Sequence, residues 1–324
     1  MDLADGILAR SSRAVARAIS LVENRDPQAQ PLVDSLYRHC GRATIIGITG
    51  SPGSGKSTLT DRLIARERAA GRTVAVIAVD PSSPFTGGAI LGDRLRMQDH
   101  ATDPGVFIRS MASRGSLGGL AVAAGDAVRI LDAAGYDTLL IETIGVGQTE
   151  VDVVELADLV LLVLMPGAGD EIQALKAGVM EIGDFYVINK DDLPGADKLR
   201  LEVEYVLSLS QPSPGRKAGR VFATGALRNR GVDELHAAIR DRTAEDRADG
   251  SLATRRSRRT ARQIESILRT RIHEVMDVHL EFSRQLPDWV DQVERMEVGP
   301  YALVDRQIDR LLSNRFPHGS KEEQ

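Results

Sequence analysis

The sequence predicts an α/β protein, a mostly parallel sheet with helices on both faces, lengthened by N-terminal and C-terminal helical extensions. Three observations carry that expectation. Seven short apolar, β-branched runs lie at residues 44–49, 74–79, 106–108, 138–141, 159–164, 185–188 and 221–223. Runs that are apolar throughout suit strands buried on both faces. Helix-length segments, among them 58–70, 118–134 and 171–182, separate most of the runs, and that alternation implies parallel strands joined by crossovers. The Gly-rich and carboxylate-bearing turns fall where the runs end, the place where parallel sheets bind ligands.

Along the chain, Leu3, Ile7, Leu8, Val15, Ile19 and Val22 follow a helical spacing over residues 3–22. Asn24-Arg25-Asp26-Pro27 interrupts it, and residues 31–39 read as a second short helix ended by Gly41. Together they form an N-terminal helical extension, residues 1–42, in front of the first strand.

That strand, 44–49, runs into Gly50-Ser51-Pro52-Gly53-Ser54-Gly55-Lys56-Ser57, followed by Thr58 and a helical pattern. Gly, four residues, then Gly-Lys-Ser/Thr between a strand and a helix is the phosphate-binding P-loop pattern. Its glycines let the main chain curl so that successive N–H groups face phosphate oxygens, and the helix adds its positive N-terminal end. Lys56 is placed to reach the β- and γ-phosphates and Ser57 to hold Mg²⁺. The fold expectation becomes a P-loop NTPase sheet over residues 43–245, with a nucleoside triphosphate as its ligand.

Asp80 closes the second strand. Asp93 follows in the Gly-rich stretch from Gly87. The fourth strand ends in Glu142-Thr143-Ile144-Gly145, where a carboxylate can hold Mg²⁺ directly or through water. Gly145 would let its N–H approach the γ-phosphate.

After the sixth strand stands Asn189-Lys190-Asp191-Asp192, which fits the Asn-Lys-x-Asp pattern of GTP-binding proteins. Asp192 would accept hydrogen bonds from the guanine N1–H and exocyclic amine, which adenine does not offer in that geometry. Asn189 would tie the base loop to the P-loop, and the Lys190 stem would lie over the base. Thr224-Gly225-Ala226, after the seventh strand, would complete the base pocket through main-chain N–H groups.

Residues 208–219, with Gln211-Pro212-Ser213-Pro214-Gly215, read as a loop. The charged stretch 241–259 reads as a solvated helix face, and Ile264, Ile267, Leu268, Ile272, Val275 and Met276 as a helical stripe broken near Pro287. A last helix over 301–312 precedes a polar tail expected to be disordered. This C-terminal segment, 246–324, is the third part of the expected organisation.

Composition narrows the classes. The 324 residues are 42% hydrophobic and 27% charged, with a formal net charge of −5, which gives no reason to expect nucleic acid or an anionic membrane as partner. A single cysteine, Cys40, excludes an internal disulfide and a multi-thiolate metal site. The start lacks the basic and apolar regions of a secretory signal, and no run approaches the length of a membrane span. A cytoplasmic location is expected.

These residues together resemble the MeaB/ArgK group of P-loop GTPases, chaperones of adenosylcobalamin-dependent acyl-CoA mutases. The match lies in 50–58, Asp80-Pro81-Ser82-Ser83, 87–97, Ser113-Arg114-Gly115-Ser116-Leu117-Gly118-Gly119, 142–150, Pro166-Gly167-Ala168-Gly169-Asp170-Glu171 and 189–192. The resemblance implies a homodimer formed through C-terminal helices and GTP hydrolysis to GDP that gates cofactor delivery and protects or reactivates the mutase. It also implies that Asp80, Asp93 and Glu142 are the Mg²⁺ and water-organising carboxylates. By the same resemblance the loop holding Asp93 is switch I, 142–150 is switch II, and Gln173 and Lys176 belong to a third switch that answers to the mutase. Lys176 is also read as a solvated helix lysine.

Val146 follows Gly145, where Ras-like proteins place a water-orienting glutamine, so slow intrinsic hydrolysis accelerated by a partner is expected. Three rival readings have less behind them. Metal-insertion GTPases carry Cys- and His-rich motifs, whereas the histidines here are scattered. A P-loop kinase has no evident use for 189–192, and a non-hydrolysing scaffold has none for the carboxylates.

Overall fold

The computed structural model describes residues 2–80, 100, 102–112, 119–143, 156–167, 183–209 and 217–315. Its strands are β1 (Thr44–Gly50), β2 (Val74–Asp80), β3 (Val106–Ala112), β4 (Thr138–Thr143), β5 (Leu159–Leu164), β6 (Phe185–Asn189) and β7 (Arg220–Thr224). All seven expected runs are strands. They form one sheet in the order β3-β2-β4-β1-β5-β6-β7, and every adjacent pair is parallel. β1 lies between β4 and β5, with Ile48 opposite Glu142 on one side and Leu161 on the other. The two loops expected to hold phosphate and metal therefore leave from adjacent strands.

Alternation along each strand divides the core. Ile45, Ile77, Leu139 and Val160 face a layer made by α1 (Leu3–Leu8), α2 (Ser12–Glu23), α3 (Ala29–Leu36) and α5 (Gly119–Ala133). Ile46, Ile48, Leu140, Leu161 and Val163 face the other layer, with α4 (Lys56–Ala69) and α7 (Val232–Ala248). Helix α6 (Ala196–Leu209) covers Leu162, Leu164, Tyr186 and Ile188 through Leu199 and Val203. Both faces of the sheet are covered, so its strands carry apolar residues on either side.

The apolar stripe of residues 3–22 is two helices. Arg10 adopts φ 56°, a conformation that ends a helix, and Ser11 caps α2 through the Ala14 N–H. The displaced Arg10 guanidinium donates to the carbonyls of Ala134 and Gly135 and lies 5.2 Å over the Tyr136 ring. The break thus gives the chain an arginine tie to the end of α5.

Two compact units divide the chain, Met1–Arg256 and Ser257–Gln324. The division falls inside α8 (Ser251–Leu280), which is followed by α9 (Phe282–Glu294) and α10 (Pro300–Arg315). The helical break expected near Pro287 is at Glu281, which sits at φ 47°. Pro287 lies inside α9. In the second unit Leu280, Trp289 and Leu303 form a small core, with the Phe282 and Trp289 rings 5.7 Å apart. No helix among the described residues is long and apolar enough to cross a membrane.

Candidate functional site: a phosphate cradle joined to a base loop

The loop between β1 and α4 is shaped by its glycines. Gly50, Gly53 and Gly55 have φ of 146°, 79° and 91°. A Cβ on Gly50 would collide with the main-chain carbonyl of Val163 in β5, and one on Gly55 with the side chain of Asn189. Pro52 is exposed between them. Ser51 and Ser54 are buried, and among the described residues their hydroxyls have no hydrogen-bond partner. Two orphaned hydroxyls in a loop at the N-terminus of a 14-residue helix fit a ligand rich in acceptor oxygens. Lys56 is only 6% exposed, and its ammonium donates to the carbonyls of Gly50 (2.8 Å) and Ser51 (2.9 Å). The loop thus encloses a cation.

Beside it, the Ser57 hydroxyl donates to Glu142 Oε1 at 2.6 Å. One residue beyond Ile48 and Glu142 on the paired strands, Thr143 Oγ1 donates to Thr49 Oγ1 at 3.0 Å. A buried carboxylate and a hydroxyl are hard oxygen donors, the set that suits Mg²⁺, so these residues fit that ion. Asp80 ends β2, whose Val79 is opposite Thr143, which puts its main chain at the same edge of the sheet. Asp93, Gly145, Val146, Gln173 and Lys176 lie outside the described residues.

The base loop is fastened to this cradle by one side chain. Asn189, at the end of β6, donates from Nδ2 to the Ser54 carbonyl at 2.8 Å. Its Oδ1 accepts from Thr224 Oγ1 and the Ala226 N–H, each at 3.1 Å. Lys190 adopts φ 57°, and its ammonium lies 3.4 Å from the Met165 sulfur. Asp192 is exposed, with Arg228 at 3.6 Å.

The expected use of the 224–226 main chain differs. The Ala226 N–H is held by Asn189 and the Gly225 N–H by the Arg230 carbonyl (3.0 Å), so neither is turned to a base. Thr58 is partly exposed in the first turn of α4.

Two residues absent from the sequence reading complete the framework. Arg62 donates from α4 to the Ala226 carbonyl at 3.2 Å. Arg230 donates from Nε to Asp191 at 3.0 Å, and that bond holds the guanidinium above the usual arginine pKa. Arginines that serve main-chain carbonyls or acids distant in sequence leave no periodic signature.

The family described as methylmalonyl Co-A mutase-associated GTPase MeaB matches residues 15–279. A Pyrococcus abyssi protein that its name provisionally classes as a GTPase is 45% identical over 302 residues, 93% of each chain. GTPase ArgK of Escherichia coli is 35% identical over 312 residues, again 93% of each chain. A crystal structure described as an LAO/AO transport system kinase superposes with a TM-score of 0.73 at 27% identity, covering 95% of both chains.

Proposed function

The chain belongs to the MeaB family of GTPases, and from that premise we propose that it is a nucleotide-driven chaperone of an adenosylcobalamin-dependent acyl-CoA mutase. In this reading GTP hydrolysis to GDP and phosphate gates cofactor delivery and protects or reactivates the mutase. Two things support it: the family's name denotes association with methylmalonyl-CoA mutase, and the cradle and base loop share one framework. The observation that carries the nucleotide part is the Asn189 side chain, which links the base loop to Ser54 and to Ala226.

The residues divide the work. The loop 50–58, through the main-chain N–H groups of all its residues but Pro52, and the Lys56 ammonium bind the phosphates and stabilise the charge that develops on the γ-phosphoryl group. Ser57, Asp80, Asp93 and Glu142 hold and orient the metal site. Mg²⁺, when bound there, supplies positive charge to the phosphate oxygens. Asp192 selects guanine, the Lys190 stem covers the ring, and 224–226 brace the base loop from behind. Lys176 is assigned to the switch that a bound mutase organises.

Residues 43–245 carry this chemistry, residues 1–42 brace it, and residues 246–324 supply a homodimer contact. The apolar groove of about 620 Å³ in the second unit, lined by Ile272, Leu286, Trp289, Val304 and Ile308 among others, supports that last assignment. The setting we assign is the cytoplasm, with neither nucleic acid nor membrane as partner.

A pull-down from cell extract with GDP-loaded and GTP-loaded protein tests the proposal. Nucleotide-dependent retention of a cobalamin enzyme is expected. Failure to retain one in either state, from an extract that contains it, would overturn the chaperone role.

A further inference from the structure

Where the central strands β1 and β4 start, away from the ends that carry the nucleotide cradle, lies a pocket of about 490 Å³. Thr44 at the start of β1, Thr138 at the start of β4, and Arg240 and Arg247 of α7 line it. Arg72, just beyond α4, and Glu67 within it complete the polar wall. Ile46, Ile239 and Ala244 supply apolar lining.

Charge in this pocket is unbalanced. Three guanidiniums face one carboxylate, in a chain whose formal net charge is −5. Glu67, moreover, is fully engaged. Its Oε1 binds Arg72 (2.5 Å) and His236 (2.7 Å), and its Oε2 binds Arg72 (2.6 Å) and Thr138 (2.7 Å). Among the described residues, Arg247 donates from one nitrogen, Nη2, to the Arg42 carbonyl and the Thr44 hydroxyl. Arg240 makes no hydrogen bond or ion pair among the described residues. Glu67 therefore cannot neutralise the cations of α7, and guanidinium N–H groups remain available beside an apolar floor.

We infer that this pocket binds a phosphate monoester carried on a small apolar body. Guanidinium forks match phosphate oxygens in geometry and charge, and two arginines in excess suit a dianion. The volume falls within the range of small-ligand sites, and Ile46, Ile239 and Ala244 offer contact to the remainder of such a molecule. The pocket touches α4, β1 and β4, the elements whose other ends carry Lys56, Gly50 and Glu142.

The probe is phenyl phosphate, titrated calorimetrically into the GDP-saturated full chain at constant ionic strength, with benzoate as the monoanionic comparison. Saturable one-to-one binding of phenyl phosphate is expected, with benzoate weaker. Arg240→Glu should weaken it at least about tenfold, the loss of one charge-assisted contact. That variant should melt with the wild type, because Arg240 is exposed and makes no hydrogen bond or ion pair among the described residues. Raising GDP further should leave probe binding unchanged, because the phosphate cradle is already filled. Undetectable binding, benzoate binding as tightly, survival of binding in Arg240→Glu or displacement of the probe by added GDP would each overturn the assignment.

Discussion

Asn189 and Ser54, 135 residues apart, are joined by a 2.8 Å hydrogen bond from a side-chain amide to a main-chain carbonyl. Asn189 is 2% exposed and serves three partners, so one side chain fastens the phosphate cradle to the base loop and to the end of β7.

Asn189→Ala should therefore act on both loops. Leaving a buried carbonyl and N–H unpaired costs about 1–3 kcal/mol. Thermal unfolding of nucleotide-free protein should report that loss, and titration with a fluorescent GDP analogue should show weaker binding. Unchanged melting and affinity would mean that the two loops hold their places without it.

Ser57→Ala removes the hydroxyl bonded to Glu142. Nucleotide affinity in EDTA should change little, while the gain on adding Mg²⁺ should shrink and turnover fall by about 10²-fold or more, the usual scale for one lost electrostatic contact. An identical Mg²⁺ response in the variant would remove Ser57 from the metal site.

Base choice is measurable directly. A site built on hydrogen bonds to guanine can reject adenine by about 10⁴–10⁵. Competition of ATP against labelled GDP should show strong discrimination, and Asp192→Ala should lower it by weakening the guanine nucleotide. Equal binding of ATP and GTP by the wild type would favour the kinase reading.

Glu67 supplies a pH dependence with a definite sign. Burial alone would raise its carboxyl pKa, but hydrogen bonds from His236, Arg72 and Thr138 outweigh it and hold the group at about 2, against 4.5 for a free glutamate. A depressed folded-state value stabilises the fold above the unfolded value and is lost as pH falls through the folded one. The melting-temperature gap between wild type and Glu67→Gln should thus be full above about pH 5 and close as the pH falls towards 2. A gap independent of pH would show that the ionised carboxylate contributes nothing.

The groove of the second unit predicts association. Val304 is about half exposed and Ile308 nearly so. Val304→Asp should shift the protein towards monomer in light scattering, as should truncation near Thr260. An unchanged dimer in the truncated chain would refute a C-terminal contact.

Much of the fold was legible because burial on two faces writes itself into composition. All seven strands announced themselves as apolar runs, and the P-loop as a spacing. Local main-chain reversals were less visible. Arg10 and Glu281 interrupt helices through positive φ without a glycine, whereas Pro287, the obvious breaker, sits within a helix. The candidate site was legible where a motif fixes types and spacing, as at Lys56, Ser57 and Asn189. The bonds of Arg62, Arg230 and Glu67 were hidden, because each joins partners that only the folded sheet makes neighbours.

Gly50 deserves caution as a target for mutagenesis. Its lack of a Cβ is required by the Val163 carbonyl of the adjacent strand, with no phosphate in the argument. A Gly50→Ala protein that failed to bind nucleotide would be reporting a wedge driven between β1 and β5. Lys56 or Ser57 would be the better choice for separating a damaged scaffold from a silenced site.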